Sequence, residues 1–120
     1  MSKKKSKEPI CAVDYAFRRV GGKYKGRILW YLSRYEVLRF GELRRHIKDI
    51  TTKMLTQTLR ELESDGLVNR KVYREVPPKV EYSLTTSSKE LIPFINYLRE
   101  WGESQMEKEN ILSIIHHNAC

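Results

Sequence analysis

Cysteine is almost absent: of 120 residues only Cys11 and Cys120 carry thiols, and they lie at opposite ends of the chain. Two distant thiols do not make a disulfide framework, and this usage fits a reducing compartment. Long apolar runs are missing too. The most apolar stretches, 28–32 and 91–98, are broken by Arg34, Pro93 and Arg99, well short of the ~18–20 residues a membrane span needs. The basic start, with Lys3, Lys4, Lys5 and Lys7, is followed by Glu8, Asp14, Arg18 and Arg19 where a signal peptide would carry its apolar core. A soluble, cytoplasmic chain without a membrane partner is therefore expected. Proline and glycine are few, 4 and 6 residues, and form no linker. With no internal repeat either, a chain of this length is expected to build one core.

Acidic residues are also in short supply, and unevenly so. Residues 17–79 carry sixteen Lys/Arg against seven Asp/Glu, whereas residues 80–120 carry three against six. The basic middle is the electrostatic footprint of a nucleic-acid binder. Motifs for chemistry are lacking. Gly21-Gly22 ends a helical pattern instead of opening one after a strand, and no nucleophile motif or paired carboxylates stand out. No enzyme activity and no cofactor are expected.

Periodicity supplies the elements. Residues 1–9 form a Lys-rich arm expected to be flexible. Val13, Ala16, Phe17 and Val20 then follow a helical spacing up to Gly21-Gly22. Ile28 to Leu32 mark a second, largely buried helix over about 23–34. Val37 to Phe40 suit only a small strand, and Glu42 to Ile47 a helix of under two turns. After a tight turn, Thr51 is a good N-cap for a fourth helix with Met54, Leu55, Leu59 and Leu62 inward, ending at Asp65-Gly66. Residues 67–73 and 80–84 are β-prone, and Pro77-Pro78 between them mark the tip of a hairpin. A last helical region is expected from Ser87, with Glu90 completing a capping box and Pro93 kinking its first turns. Its stripe is Leu91, Phe94, Ile95, Leu98 and Trp101. The polar stretch 102–110 then separates it from a short apolar patch, 111–115.

Helix, short helix, tight turn, amphipathic helix and hairpin, in that order, make a winged helix-turn-helix: mainly α with a small β-hairpin. In that arrangement the second helix of the pair enters the major groove of double-stranded DNA, and the hairpin reaches backbone or minor groove. The outward face of the fourth helix then holds Thr52, Lys53, Thr56, Gln57 and Arg60. These offer hydroxyls for phosphate, an amide for adenine, and cations for guanine or phosphate. Arg44 and Arg45 stand beside it, and Arg74 and Lys79 on the hairpin after it, beside Arg70 and Lys71. Any amphipathic helix shows water a polar face; the flanking turn, cations and hairpin favour DNA. The alternative is an architectural or protein-interaction winged-helix module without sequence-specific DNA binding.

Several segments carry a more specific signal: Cys11-Ala-Val-Asp14, Val20-Gly-Gly-Lys-Tyr-Lys25, Arg39-Phe-Gly-Glu-Leu-Arg-Arg45, Ile50-Thr-Thr-Lys-Met-Leu-Thr-Gln57 and Glu75-Val-Pro-Pro-Lys-Val-Glu-Tyr-Ser-Leu-Thr85. In these the chain resembles the HxlR family of prokaryotic winged-helix regulators, from about Cys11 to Gly102. The resemblance implies a homodimer, held by its first and last helices, that binds a pseudo-palindromic operator and regulates transcription. It implies a recognition helix at 51–64 and a wing at 73–79. Ala12 and Tyr24 depart from the usual proline and tryptophan. The expected organisation is a basic arm (1–9), the winged-helix domain (10–104) and a helical extension (105–120) open to a role in dimerisation. The stripe Phe94, Leu98 and Trp101 and the patch 111–115 exceed what so small a core needs, which is a physical argument for the dimer.

Some members of that family sense oxidants through a cysteine at the place of Cys11. A thiolate there would gain from the positive end of the first helix; an inert cysteine packed at the dimer interface is the other reading. His116, His117 and Cys120 bring imidazole and thiol donors close together, but adjacent histidines point to different sides of a helix and no fourth ligand is evident. No metal site is expected, and no small-molecule effector is assigned.

Overall fold

Five consecutive residues, Ile28 to Leu32, are buried, and the other elements are arranged around them. The computed structural model describes residues 8–111. In chain order these form α1 (Ala12–Val20), α2 (Lys25–Tyr35), β1 (Leu38–Arg39), α3 (Phe40–His46), α4 (Thr52–Ser64), β2 (Val68–Tyr73), β3 (Lys79–Leu84), α5 (Thr86–Lys89) and α6 (Ile92–Lys108). This is a winged helix-turn-helix. A helix buried through a whole turn and more has neighbours on every side, and α2 is that helix here. Among the described residues, no helix is long and apolar enough to cross a membrane.

α1 ends where the sequence requires. A Cβ on Gly21 would lie 2.4 Å from the Phe17 carbonyl oxygen, and Gly22 adopts φ +94°, a conformation that L side chains rarely take. The three strands form an antiparallel sheet in the order β1-β3-β2. Leu38 and Arg70 both lie opposite Tyr82, and Val68 opposite Leu84. Since side chains alternate along a strand, one face of this sheet carries Leu38, Val68, Tyr82 and Leu84 into the core. Leu43, Ile47, Ile50, Leu55, Leu59 and Leu62 meet it from α3, α4 and the turn between them.

Two expectations are corrected. Met54 is 42% exposed, and Thr58 is buried in its stead. On an α-helix Thr58 lies about 60° round from Leu55 and Met54 about 100°, so the threonine is nearer the centre of the Leu55, Leu59, Leu62 stripe. Its buried hydroxyl is satisfied by donating to the Met54 carbonyl at 2.7 Å.

The second correction concerns the C-terminal helices. The capping box is formed by Thr85 and Ser88, not by Ser87 and Glu90. Thr85 Oγ1 also donates to the Gly66 carbonyl at 2.8 Å, and Ser88 is fully buried. A tertiary anchor thus fixes the cap two residues earlier than the local pattern indicates. α5 closes after one turn, and Pro93 stands in the first turn of a separate helix, where its missing N–H costs nothing and produces no kink. The polar stretch is helical too: α6 passes through residue 104 unbroken to Lys108. The basic arm up to Lys7, the apolar residues beyond Ile111, and His116, His117 and Cys120 lie outside the described residues.

Candidate nucleic-acid interface

Placement of α4 begins at the turn before it. Asp49 accepts both guanidinium nitrogens of Arg27, at 3.0 and 2.6 Å, and Lys23 stands 3.8 Å away. Tyr24 Oη donates to the Asp49 carbonyl at 3.2 Å, and Arg44 Nε to that of Ile50 at 3.4 Å. The turn is therefore clasped to the start of α2 and to α3. Thr51 caps α4, its Oγ1 accepting the Met54 N–H at 3.0 Å. Hydrogen bonding from Arg27 holds the Asp49 carboxyl at about 2, against burial, which acts the other way.

A carboxylate whose folded pKa is depressed stabilises the fold above its ordinary pKa, and that contribution fades as the pH falls through the folded value. The Asp49 side chain is 45% exposed, so solvent screening limits the effect to about 1 kcal/mol or less. Asp49→Asn is expected to lose about 0.5–1 kcal/mol in urea unfolding at pH 7. The difference from wild type should shrink as the pH is lowered from 4 to 2. A constant difference across that range would mean that the carboxylate charge is not what matters.

Along α4, Thr52, Lys53, Gln57 and Arg60 are exposed and Thr56 is half-buried. Their states differ. Lys53 and Arg60 make no ion pair with any described residue. Thr56 Oγ1 donates to the Thr52 carbonyl at 2.9 Å. Gln57 Nε2 donates to Glu61 Oε2 at 2.9 Å, and Glu61 also pairs with Lys25 at 3.2 Å. Bidentate contact with adenine needs one amide hydrogen and the amide oxygen; Glu61 takes only one of the two Nε2 hydrogens of Gln57. Arg45 is exposed on the last turn of α3.

The wing is similarly divided. Arg74 is exposed near the tip. Lys79 is turned back onto its own hairpin, with Glu75 at 4.0 Å, Glu81 at 3.8 Å and the Tyr73 ring centre at 4.4 Å. Lys71 also sits over Tyr73, at 4.9 Å. Between α4 and the sheet lies a recess of about 410 Å³. Phe40, Leu59 and Tyr82 line it with Thr56, and the exposed Arg60, Glu63 and Arg70 complete the wall. Arg70 lines this recess although the sequence offered no more than its place in a basic hairpin. Its register opposite Tyr82, set by strand pairing, puts it on the sheet face toward α4.

The HxlR-like helix-turn-helix family model matches residues 19–110. The chain belongs to that family. This HxlR-type protein is 52% identical over 96 residues to an uncharacterized HTH-type transcriptional regulator of Methanothermobacter thermautotrophicus, covering 80% of this chain and 72% of the relative. It is 48% identical over 110 residues to YybR of Bacillus subtilis, another uncharacterized HTH-type transcriptional regulator, covering 89% and 87%. Among solved structures, the redox regulator HypR in its oxidized form matches with a TM-score of 0.75 at 48% identity, over 78% of this chain and 96% of that one. The HxlR-type chain is thus a transcriptional regulator with a helix-turn-helix DNA-binding domain.

Proposed function

We propose that this HxlR-type regulator binds a pseudo-palindromic operator as a homodimer, one α4 in each of two successive major grooves and each wing toward backbone or minor groove. Base and phosphate contacts are assigned to Thr52, Lys53, Thr56, Gln57 and Arg60, with Arg44, Arg45 and Arg74 flanking them; Lys79, expected among them from the sequence, is left out because Glu75 and Glu81 hold it on its own hairpin. The observation that carries this reading is an apolar face left uncovered by α1 and α6. No residue of α1 is buried. Phe17 meets Phe94 edge to face, with ring centres 6.2 Å apart, and Val13, Leu98 and Trp101 are exposed as well, Trp101 to 56%. So much aromatic surface open to water is costly, and a second copy related by a two-fold axis covers it.

The test is quantitative binding to the DNA beside the chain's own gene and to random duplex of equal length, at several salt concentrations. A preference of about 10³-fold or more is expected. Equal, steeply salt-dependent binding to both would favour the architectural reading.

Cys11 extends this proposal. It is free and exposed at the N-cap of α1, its Sγ accepting the Asp14 N–H at 3.5 Å, and HypR, named a redox regulator, is a close relative. Attack of the Cys11 thiolate on a small disulfide such as diamide-generated glutathione disulfide would form a mixed disulfide and release the other half as a thiolate, placing bulk beside the uncovered face. Such treatment is expected to weaken operator binding by wild type and not by Cys11→Ser. Equal responses would remove the thiol from regulation.

A further inference from the structure

We propose that Arg70, at the base of the wing, seats a DNA backbone phosphate in the recess between α4 and β2, and that the wing's other conspicuous cation, Lys79, does not. The proposal rests on the reading of α4 as the groove helix and names the backbone partner of that same site. A helix in the major groove and a hairpin in the neighbouring minor groove have one sugar-phosphate strand running between them. The recess lies between those two elements, with Arg60 on its α4 side and Arg70 on its sheet side.

Charge accounting within the wing decides which cation is available. Lys79 already has Glu75 and Glu81 near its ammonium group and Tyr73 beneath it. A phosphate would have to compete with two carboxylates for it. Arg70 is exposed and has no ion pair among the described residues. A planar guanidinium presents a fork of donors that matches two phosphate oxygens. The apolar wall of Leu59, Tyr82 and Phe40 beside it is a low-dielectric boundary that strengthens the local field. Glu63, on the same wall, opposes the charge and sets an upper limit on the affinity of the seat. Arg60 then remains for base contact, and the two arginines divide specificity from positioning.

The experiment is the salt dependence of binding to random duplex, with the operator measured in parallel, for wild type, Arg70→Gln, Lys79→Gln and Glu63→Gln. Each lost phosphate contact should lower the slope of log affinity against log salt by about 0.9, hence by about 2 for a dimer. Arg70→Gln is expected to show that change, with affinity for both DNAs falling together by about tenfold or more. Lys79→Gln should shift affinity less than threefold, and Glu63→Gln should tighten binding to both DNAs. If Arg70→Gln lowers the melting temperature, Arg70→Met, which keeps an unbranched stem and removes the charge, asks the same question, and its slope should fall by the same amount. An unchanged slope in Arg70→Gln, a loss confined to the operator, or an equal slope change in Lys79→Gln would overturn the assignment. Because the slope is read on random DNA, failure of operator preference in wild type is a separate result that leaves this one standing.

Discussion

Arg60→Ala is expected to abolish most of the preference for operator over random DNA while leaving the fold intact. Arg60 is exposed in the third turn of α4 and makes no ion pair with any described residue, so its truncation opens no cavity and strands no buried charge. A bidentate base contact is worth about 1–3 kcal/mol of discrimination, and a two-fold dimer makes it twice, which amounts to about 2–6 kcal/mol. The preference should fall by about 30-fold to 10⁴-fold, since each 1.4 kcal/mol is a factor of ten. Binding to random duplex should fall far less, since α4 retains Lys53 and the wing retains Arg74. The measurement is the ratio of the two dissociation constants at fixed salt. A proportional loss on both DNAs would move Arg60 from base readout to the phosphate backbone and leave Lys53 and Gln57 as the reading residues.

The second large effect is expected from the uncovered face. In Phe94→Asp/Leu98→Asp, two carboxylates replace side chains that are 39% and 43% exposed in the single chain. The monomer fold, centred on α2 and the sheet, should keep its helical circular dichroism. In a dimer the same two positions would be buried in each protomer, and an unpaired buried charge costs several kcal/mol. Wild type should sediment as a dimer at micromolar concentration and the variant as a monomer. Operator affinity should fall at least 10²-fold, because two tethered half-site contacts become two independent ones. A monomeric wild type at that concentration would refute the dimer, and a variant that stays dimeric would place the interface elsewhere.

Much of this organisation was legible from residue order. The Gly21-Gly22 stop, the Thr51 cap, the burial of 28–32 and the hairpin around Pro77-Pro78 are local events, decided by a missing Cβ, a short hydroxyl side chain, apolar density and a missing N–H. Where the pattern misled, a distant partner was the cause. Thr85 caps α5 because it also reaches Gly66, and Thr58 goes inside because α4 lies against the sheet at that angle. The candidate site divides the same way. The polar identity of Thr52, Lys53, Thr56, Gln57 and Arg60 followed from helical period, but that Gln57 is held by Glu61 and Lys79 by Glu75 and Glu81 did not.

The sequence by itself determined that this chain is a winged helix-turn-helix with a basic middle and a surplus of apolar residues at its two ends, because periodicity, capping and charge density are properties of neighbouring residues. Only the tertiary structure decided which cations are spent and which are open, that Arg70 faces α4 across a recess, and that the surplus of α1 and α6 forms one exposed face. Those depend on strand register and helix packing, which bring together residues far apart in the chain, and no local rule of spacing contains them.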